Sequence, residues 1–178
     1  MDQDLIPEFF LSGSSDACRR LQRRLRLTRL HYPREISQYR GRAPLTGCGI
    51  RLGIIARDTS DEAWRIARTR FPPSRDGEEL HDWSADHVES GWHIELSQDA
   101  LASPGPQGAY WIYPFRAYHT FCPYIIGNFD EVSGLLARYL ALGVSTIILD
   151  ELSDSDDLKH AMSALAAARL AGAGRNTD

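Results

Sequence analysis

Two hydrophobic rhythms run along the chain. A short apolar run at 8–11 (EFFL) passes into Ser12-Gly13-Ser14-Ser15-Asp16, and an Arg/Leu-rich stretch at 17–27 then places Leu21 and Leu25 four residues apart. That order predicts a strand, a tight turn and a helix. Residues 28–32 (TRLHY) read as a second short strand closed by Pro33, and a polar loop follows to Gly47. The strongest strand signal is 49–56, where Ile50, Leu52, Ile54 and Ile55 make a nearly continuous apolar run of the type buried on both faces. Thr59-Ser60-Asp61-Glu62 then has the Thr-x-x-Glu form of a capping box and opens a helix that Pro72-Pro73 ends.

Residues 74–102 are polar and only weakly periodic, so a helix is assigned to part of them. Residues 103–123 (SPGPQGAYWIYPFRAYHTFCP) carry too many breakers for a regular element and read as an excursion, of the length that commonly serves as a lid. Asn128-Phe129-Asp130-Glu131 is a further capping signal. Val132, Leu135, Leu136, Tyr139 and Leu140 follow at helical spacing until Gly143 stops the helix. A second buried-type strand at 144–149 (VSTIIL) and a last helix at 158–170 complete the pattern, with 171–178 as a frayed tail. About four parallel strands alternating with helices imply an α/β chain of right-handed βαβ units, in a single domain spanning 1–170.

A length of 178 residues with 43% hydrophobic and 25% charged residues suits one folded domain and excludes wholesale disorder. It is too short for a complete (β/α)8 barrel, which takes at least about 200 residues. No apolar run reaches the roughly 20 residues of a membrane helix, and the acidic opening MDQDLIPEFF lacks a signal-peptide pattern, so a cytoplasmic chain is expected. A net charge of -4 argues against general affinity for nucleic acid or anionic membranes. Cys18, Cys48 and Cys122 are odd in number and widely spaced, which fits neither a disulfide framework nor Cys-x-x-Cys metal knuckles. The six histidines include no His-x-x-x-His pair, and no metal site is expected.

Three features carry candidate chemistry. Ser12, Gly13, Ser14 and Ser15 stand where a strand meets a helix. Glycine lets the backbone turn close to a ligand there, and hydroxyls and helix-start N–H groups favour a phosphate; an ordinary turn and N-cap is the other reading. Arg51 lies inside the buried run and needs either a carboxylate partner or a bound anion, both of which remain open. Nine arginines fall between positions 19 and 42, against only Asp16 and Glu35. They read as a solvated helix face or as a basic surface for phosphate backbones.

Taken together, FFLSGSS, GIRLGIIARDTSDEAW with Trp64, YWIYPFR leading to Arg116, and YIIGNFDEVSGLLARYLALGVSTIILD resemble the C-terminal half of the bacterial-luciferase-like flavin monooxygenases. The alkanesulfonate monooxygenase branch is nearest. The resemblance implies part, about half, of a TIM barrel, and oxygenation of a small organic substrate by O2 and reduced FMN supplied by a separate flavin reductase. It also implies that Ser12, Gly13, Ser14 and Ser15 hold the FMN phosphate, that Arg51 and Arg116 are active-site residues, and that 103–123 closes as a lid. Gly53 departs from a histidine of the sulfonate branch, and Glu151-Leu152-Ser153 from its Gly-Tyr-Pro. A half barrel leaves an apolar inner face and two strand edges open, so a truncated or split enzyme is expected to need a complementary half or a homodimer. The alternative is a non-catalytic phosphate- or flavin-binding or regulatory remnant. Neither a nucleic acid nor a membrane partner is expected.

Overall fold

The computed structural model of the chain describes residues 9–13 and 15–173. Its centre is the ten-residue strand β3 (Cys48–Arg57). Along one edge β3 pairs in parallel with β6 (Val144–Leu149) over residues 48–52. Along the other it pairs first with β2 (Thr28–His31) at Gly49 and Ile50, then with β5 (Tyr124–Asn128) over residues 53–57. The hydrogen bonds show this division. The Leu52 carbonyl accepts from Asp150 N–H at 2.9 Å, while the next residue, Gly53, donates its N–H to the Pro123 carbonyl at 3.0 Å. Consecutive residues of a strand point their backbone groups to opposite edges. β1 (Phe10–Ser12) extends the sheet beyond β2, and β4 (Tyr110–Trp111) pairs antiparallel with β5.

Strand parity also divides the core. Ile50, Leu52, Ile54 and Ala56 join one cluster with Leu96 and Ala100 of α4 (Gly91–Ala102), Val132 and Leu136 of α6 (Phe129–Ala141), and Ala161 and Ala164 of α7 (Ser155–Ala173). Ile55 faces the other way and packs with Ala63 and Ala67 of α2 (Ser60–Arg70), Phe71, Trp111, Tyr124 and Ile126. Each buried Ile or Leu contributes about 1.5–3 kcal/mol relative to exposure.

The expectation of a half TIM barrel with about four parallel strands is therefore corrected. The chain has a mixed α/β fold with a six-stranded, mostly parallel sheet and, among the described residues, seven α-helices. Helices pack on both faces of β3, α6 and α7 on one and α2, around Ile55, on the other. The edge strands β1 and β4 are only three and two residues long, which limits the exposed hydrogen-bonding edge.

The excursion at 103–123 is not a lid. Tyr110, Ile112 and Phe115 are fully buried, the Tyr110 hydroxyl donates to the Pro33 carbonyl at 3.1 Å, and Ile126 N–H donates to the Ala109 carbonyl at 2.8 Å. Burial of its aromatic side chains outweighs its breakers. Pro114 sits in the first turn of the short helix α5 (Tyr113–Arg116), where a missing N–H costs nothing. The polar stretch before it forms two helices, α3 (Arg75–His87) and α4. At the C-terminal end, α7 runs through 173, past the expected boundary at 170.

Local signals account for the element ends. Thr59 accepts from Glu62 N–H at 3.3 Å, and Asn128 and Glu131 form a complete capping box at the start of α6. Gly143 has φ +95°, and a Cβ there would lie 2.8 Å from Thr46 Cα, so only glycine can end α6 where the chain crosses the 45–47 turn. Gly53 is constrained by packing, because an added Cβ would sit 2.2 Å from the Tyr124 ring. Gly53→Ala is expected to destabilise the fold by about 1–3 kcal/mol, read as a lowered urea midpoint. Adding Tyr124→Leu should cost less than the two single effects summed, because both changes act on one contact.

Candidate functional site

β3 parity places Arg51 on the same face as Ile55, at the level where β6 ends. There the guanidinium meets Asp150: Nε and Nη2 both donate to Oδ1, at 3.0 and 2.6 Å. The carboxylate is nearly buried, whereas the Arg51 side chain keeps about a third of its surface exposed. Of the two readings open for Arg51, the structure shows the ion pair. The pair still has one accessible side, because the cation reaches solvent.

Three neighbours complete the cluster. The Tyr124 hydroxyl donates to Asp150 Oδ2 at 3.3 Å. Burial raises the Tyr124 pKa and the Asp150 charge adds to it, so the phenol stays protonated at neutral pH. Burial likewise pushes the Cys122 thiol far up, again reinforced by Asp150. Tyr32 directly follows β2, the strand paired with β3 at Gly49 and Ile50. Burial raises its pKa, while Arg51 and the Ser12 hydroxyl act in the opposite sense.

A cavity of about 250 Å³ opens beside Tyr124, lined by Arg70, Phe71, His119, Glu151 and Ser153. Arg70 donates from Nη2 to Asp157 Oδ2 at 2.7 Å, and its buried Nη1 has no partner among the described residues. Asp157 also accepts from Arg57 Nη2 at 2.6 Å and from Ser153 N–H at 3.1 Å. Burial opposes its ionisation, but these donors overcome the penalty and hold its pKa below the usual carboxylate value. Among the described residues, no three or more His, Cys, Asp or Glu side chains are grouped to hold a metal ion.

The predicted phosphate turn is only partly available. Ser12 is exposed, Gly13 is half-buried, and Ser15 is the N-cap of α1 (Asp16–Leu25), its hydroxyl accepting from Cys18 N–H at 3.2 Å. Ser14 lies outside the described residues. Arg116 is not brought together with Arg51. It is buried against α3, donating from Nη1 to the Glu78 carbonyl at 2.7 Å and from Nη2 to Asp82 at 2.8 Å. Its place is to anchor the 113–118 segment.

Sequence reasoning missed Asp150, Tyr124, Tyr32 and Arg70. Asp150 had a readable signal, an acid directly after the apolar run 144–149, where a strand end in an open α/β sheet meets ligand.

No protein-family model matches the chain. A curated relative, the 4-(gamma-L-glutamylamino)butanoyl-(BtrI acyl-carrier protein) monooxygenase BtrO of Niallia circulans, is 28% identical over 168 residues, covering 89% of this chain and 48% of that protein. The chain thus spans about half the length of the curated relative it matches. Among solved structures, apo-MsnO8 aligns over 92% of this chain and 51% of its own with a TM-score of 0.45 and 19% identity, a loose likeness.

These findings correct the expected kinship with the C-terminal half of the alkanesulfonate-type luciferase-like enzymes. The relative is named for an acyl group on a carrier protein, and the sheet is not half of a cylinder. Without movement of Tyr124, position 53 has no room for the histidine of the sulfonate branch. No described helix is long and apolar enough to cross a membrane.

Arg116 also shapes the pH response. His81 is fully buried, 3.4 Å from Arg116 Nη1 and 3.2 Å from Ser97 Oγ, with His93 stacked beside it. Burial first, then the charge of Arg116 and the proximity of His93, push its pKa down to about 4. The unfolded chain therefore binds this proton at a higher pH than the folded one. The stability linked to neutral His81 is complete above about pH 6.5 and is lost as pH falls toward 4, by up to about 3 kcal/mol. Urea midpoints measured between pH 7 and 4 should show that decline, and His81→Phe should flatten it.

Proposed function

We propose that the chain is the catalytic part of a monooxygenase that uses O2 and reduced FMN to oxygenate a small acyl substrate. The observation that carries this reading is the likeness to BtrO over 168 residues, since that relative is named as a monooxygenase of an acyl group held on a carrier protein. When bound, reduced FMN supplies the electrons and the means of activating O2, and a separate flavin reductase supplies the reduced flavin.

The donor set fits such a cofactor. The phosphate would be held by the Ser12 hydroxyl, the backbone at Gly13 and the N-terminus of α1. Ser15 already uses its own hydroxyl as the helix cap. Arg51 stands on β3, two strands along the sheet from this turn on β1, and Asp150 holds the guanidinium in one orientation. Tyr124 and Arg51 both keep their protons at neutral pH, so they act as donors that stabilise negative charge and do not remove a proton. Arg70 and His119 line the adjoining cavity, which suits a polar, oxygen-rich substrate. Phe71 walls part of it against water.

A second reading, a phosphate- or flavin-binding protein without oxidation, is favoured by one observation: the charge of Arg51 is already matched by Asp150. Flavin titration followed by turnover under 18O2 with a soluble acyl thioester separates the two. The oxygenase reading expects saturable quenching of FMN fluorescence, one 18O atom in the product, and binding weakened about tenfold or more by Arg51→Met, the scale of a lost charged hydrogen bond. Quenching with no labelled product supports the second reading. FMN affinity indifferent to Arg51→Met and to Ser12→Ala overturns the assigned site.

A further inference from the structure

Helix α1 has an amphipathic pattern that the described residues leave uncovered. None of its residues is buried, and Leu21 and Leu25, four apart on one face, remain 43% and 54% exposed. Around this stripe stand Arg20, Arg23, Arg24 and Arg26, all exposed. Among the described residues, Arg19 alone of the helix arginines is paired, donating to Asp16 at 2.5 Å.

The basic surface continues past the helix. Arg19 also borders a groove of about 310 Å³ whose walls include Arg29, Arg42, Tyr32 and Trp92. The two aromatic rings stack at 3.7 Å and make its floor rigid. His31 lines the same groove, and its buried Nε2 has no partner among the described residues. Arg34 is neutralised by Asp99, and Glu95 is shared between Arg34 and, at 3.9 Å, Arg42, which leaves Arg29 without a carboxylate among the described residues. The whole chain has a net charge of -4, so the arginines of residues 19–42 left over after Arg19 and Arg34 are paired form a local field opposite in sign to the rest of the protein.

We infer that α1 and the adjoining groove dock an acidic carrier protein through a short amphipathic helix, whose apolar side covers Leu21 and Leu25 and whose carboxylates meet the surrounding arginines. The choice of a carrier protein rests on the oxygenase reading above; the surface itself does not. Charge complementarity selects this partner over the other occupants. A second copy of the chain would set arginine against arginine, which costs affinity. A nucleic acid would use the cations and leave the leucine stripe uncovered. A lipid surface calls for a broader apolar face than two leucines.

The test measures binding without turnover, so its failure is separate from failure of the oxygenase reading, which the soluble thioester assay decides. Fluorescein-labelled holo-acyl-carrier protein is titrated with the full chain by anisotropy at low and moderate salt. A 20-nucleotide duplex, anionic phosphatidylserine vesicles and sedimentation of the chain alone serve as the competing arms. We expect saturable binding of the carrier protein that weakens with salt, falls about tenfold or more in Arg20→Glu/Arg24→Glu, and falls severalfold in Leu21→Gln/Leu25→Gln. The remote pair Arg65→Glu/Arg138→Glu should change it less than about twofold. Because α1 buries nothing, these variants should keep the wild-type circular dichroism and urea midpoint. The inference is overturned by no carrier binding, by carrier binding insensitive to both α1 variants, or by the duplex or vesicles binding more tightly through the same arginines. A dimer of the chain dissolved by Leu21→Gln/Leu25→Gln overturns it as well.

Discussion

β3 has neighbours on all four sides: β6 on one edge, β2 and then β5 on the other, helices α4, α6 and α7 against one face and α2 against the second. Every residue of this strand must therefore be apolar, small, or individually compensated. Ile50, Leu52, Ile54 and Ile55 meet the first condition and Gly53 the second. Arg51 and Arg57 meet the third, each paired with an aspartate about one hundred residues further along the chain. The two ion pairs tie β3 to the end of β6 and to the start of α7, so the same contacts that neutralise the strand also position the polar cluster.

That arrangement explains why the candidate site lies where it does. β6 stops at the level of Leu52, while β5 starts at the level of Gly53, and the step between them exposes Asp150 to Arg51 from one side and to Tyr124 from the other. A buried carboxylate is costly unless surrounded by donors, and here a guanidinium and a phenol provide them. Binding of an anionic or oxygen-rich ligand near Arg51 would draw on a cation whose orientation is already set, which lowers the entropy lost on association.

Much of the scaffold was legible beforehand. The apolar run of β3, the caps at Thr59 and Asn128, the stop at Gly143 and the strand at 144–149 are local signals that the fold leaves intact. The 74–102 and 103–123 segments were not, for one shared reason. Their buried positions include His81, Ser84, His93, Ser97 and Arg116, polar residues whose burial depends on one another across α3, α4 and α5. No periodicity within either segment reveals that. At the site, Arg51 was visible as a charge that needed an answer, but its partner stands 99 residues away. The serine turn was visible too, and its cap role at Ser15 competes with the ligand role that the spacing suggested. The half-barrel expectation failed because a parallel α/β pattern is common to open and closed sheets, and only the packing on the second face of β3 tells them apart.

Cys122 is fully buried beside an aspartate, in a setting that disfavours its thiolate. Sulfur is oxidised by peroxides mainly through the thiolate, and both the vanishing anion population and the closed surroundings withhold it. If dioxygen is handled at the neighbouring cluster, this sulfur is a bystander to leaked oxidant, and damage would fall first on more accessible sulfur elsewhere in the chain.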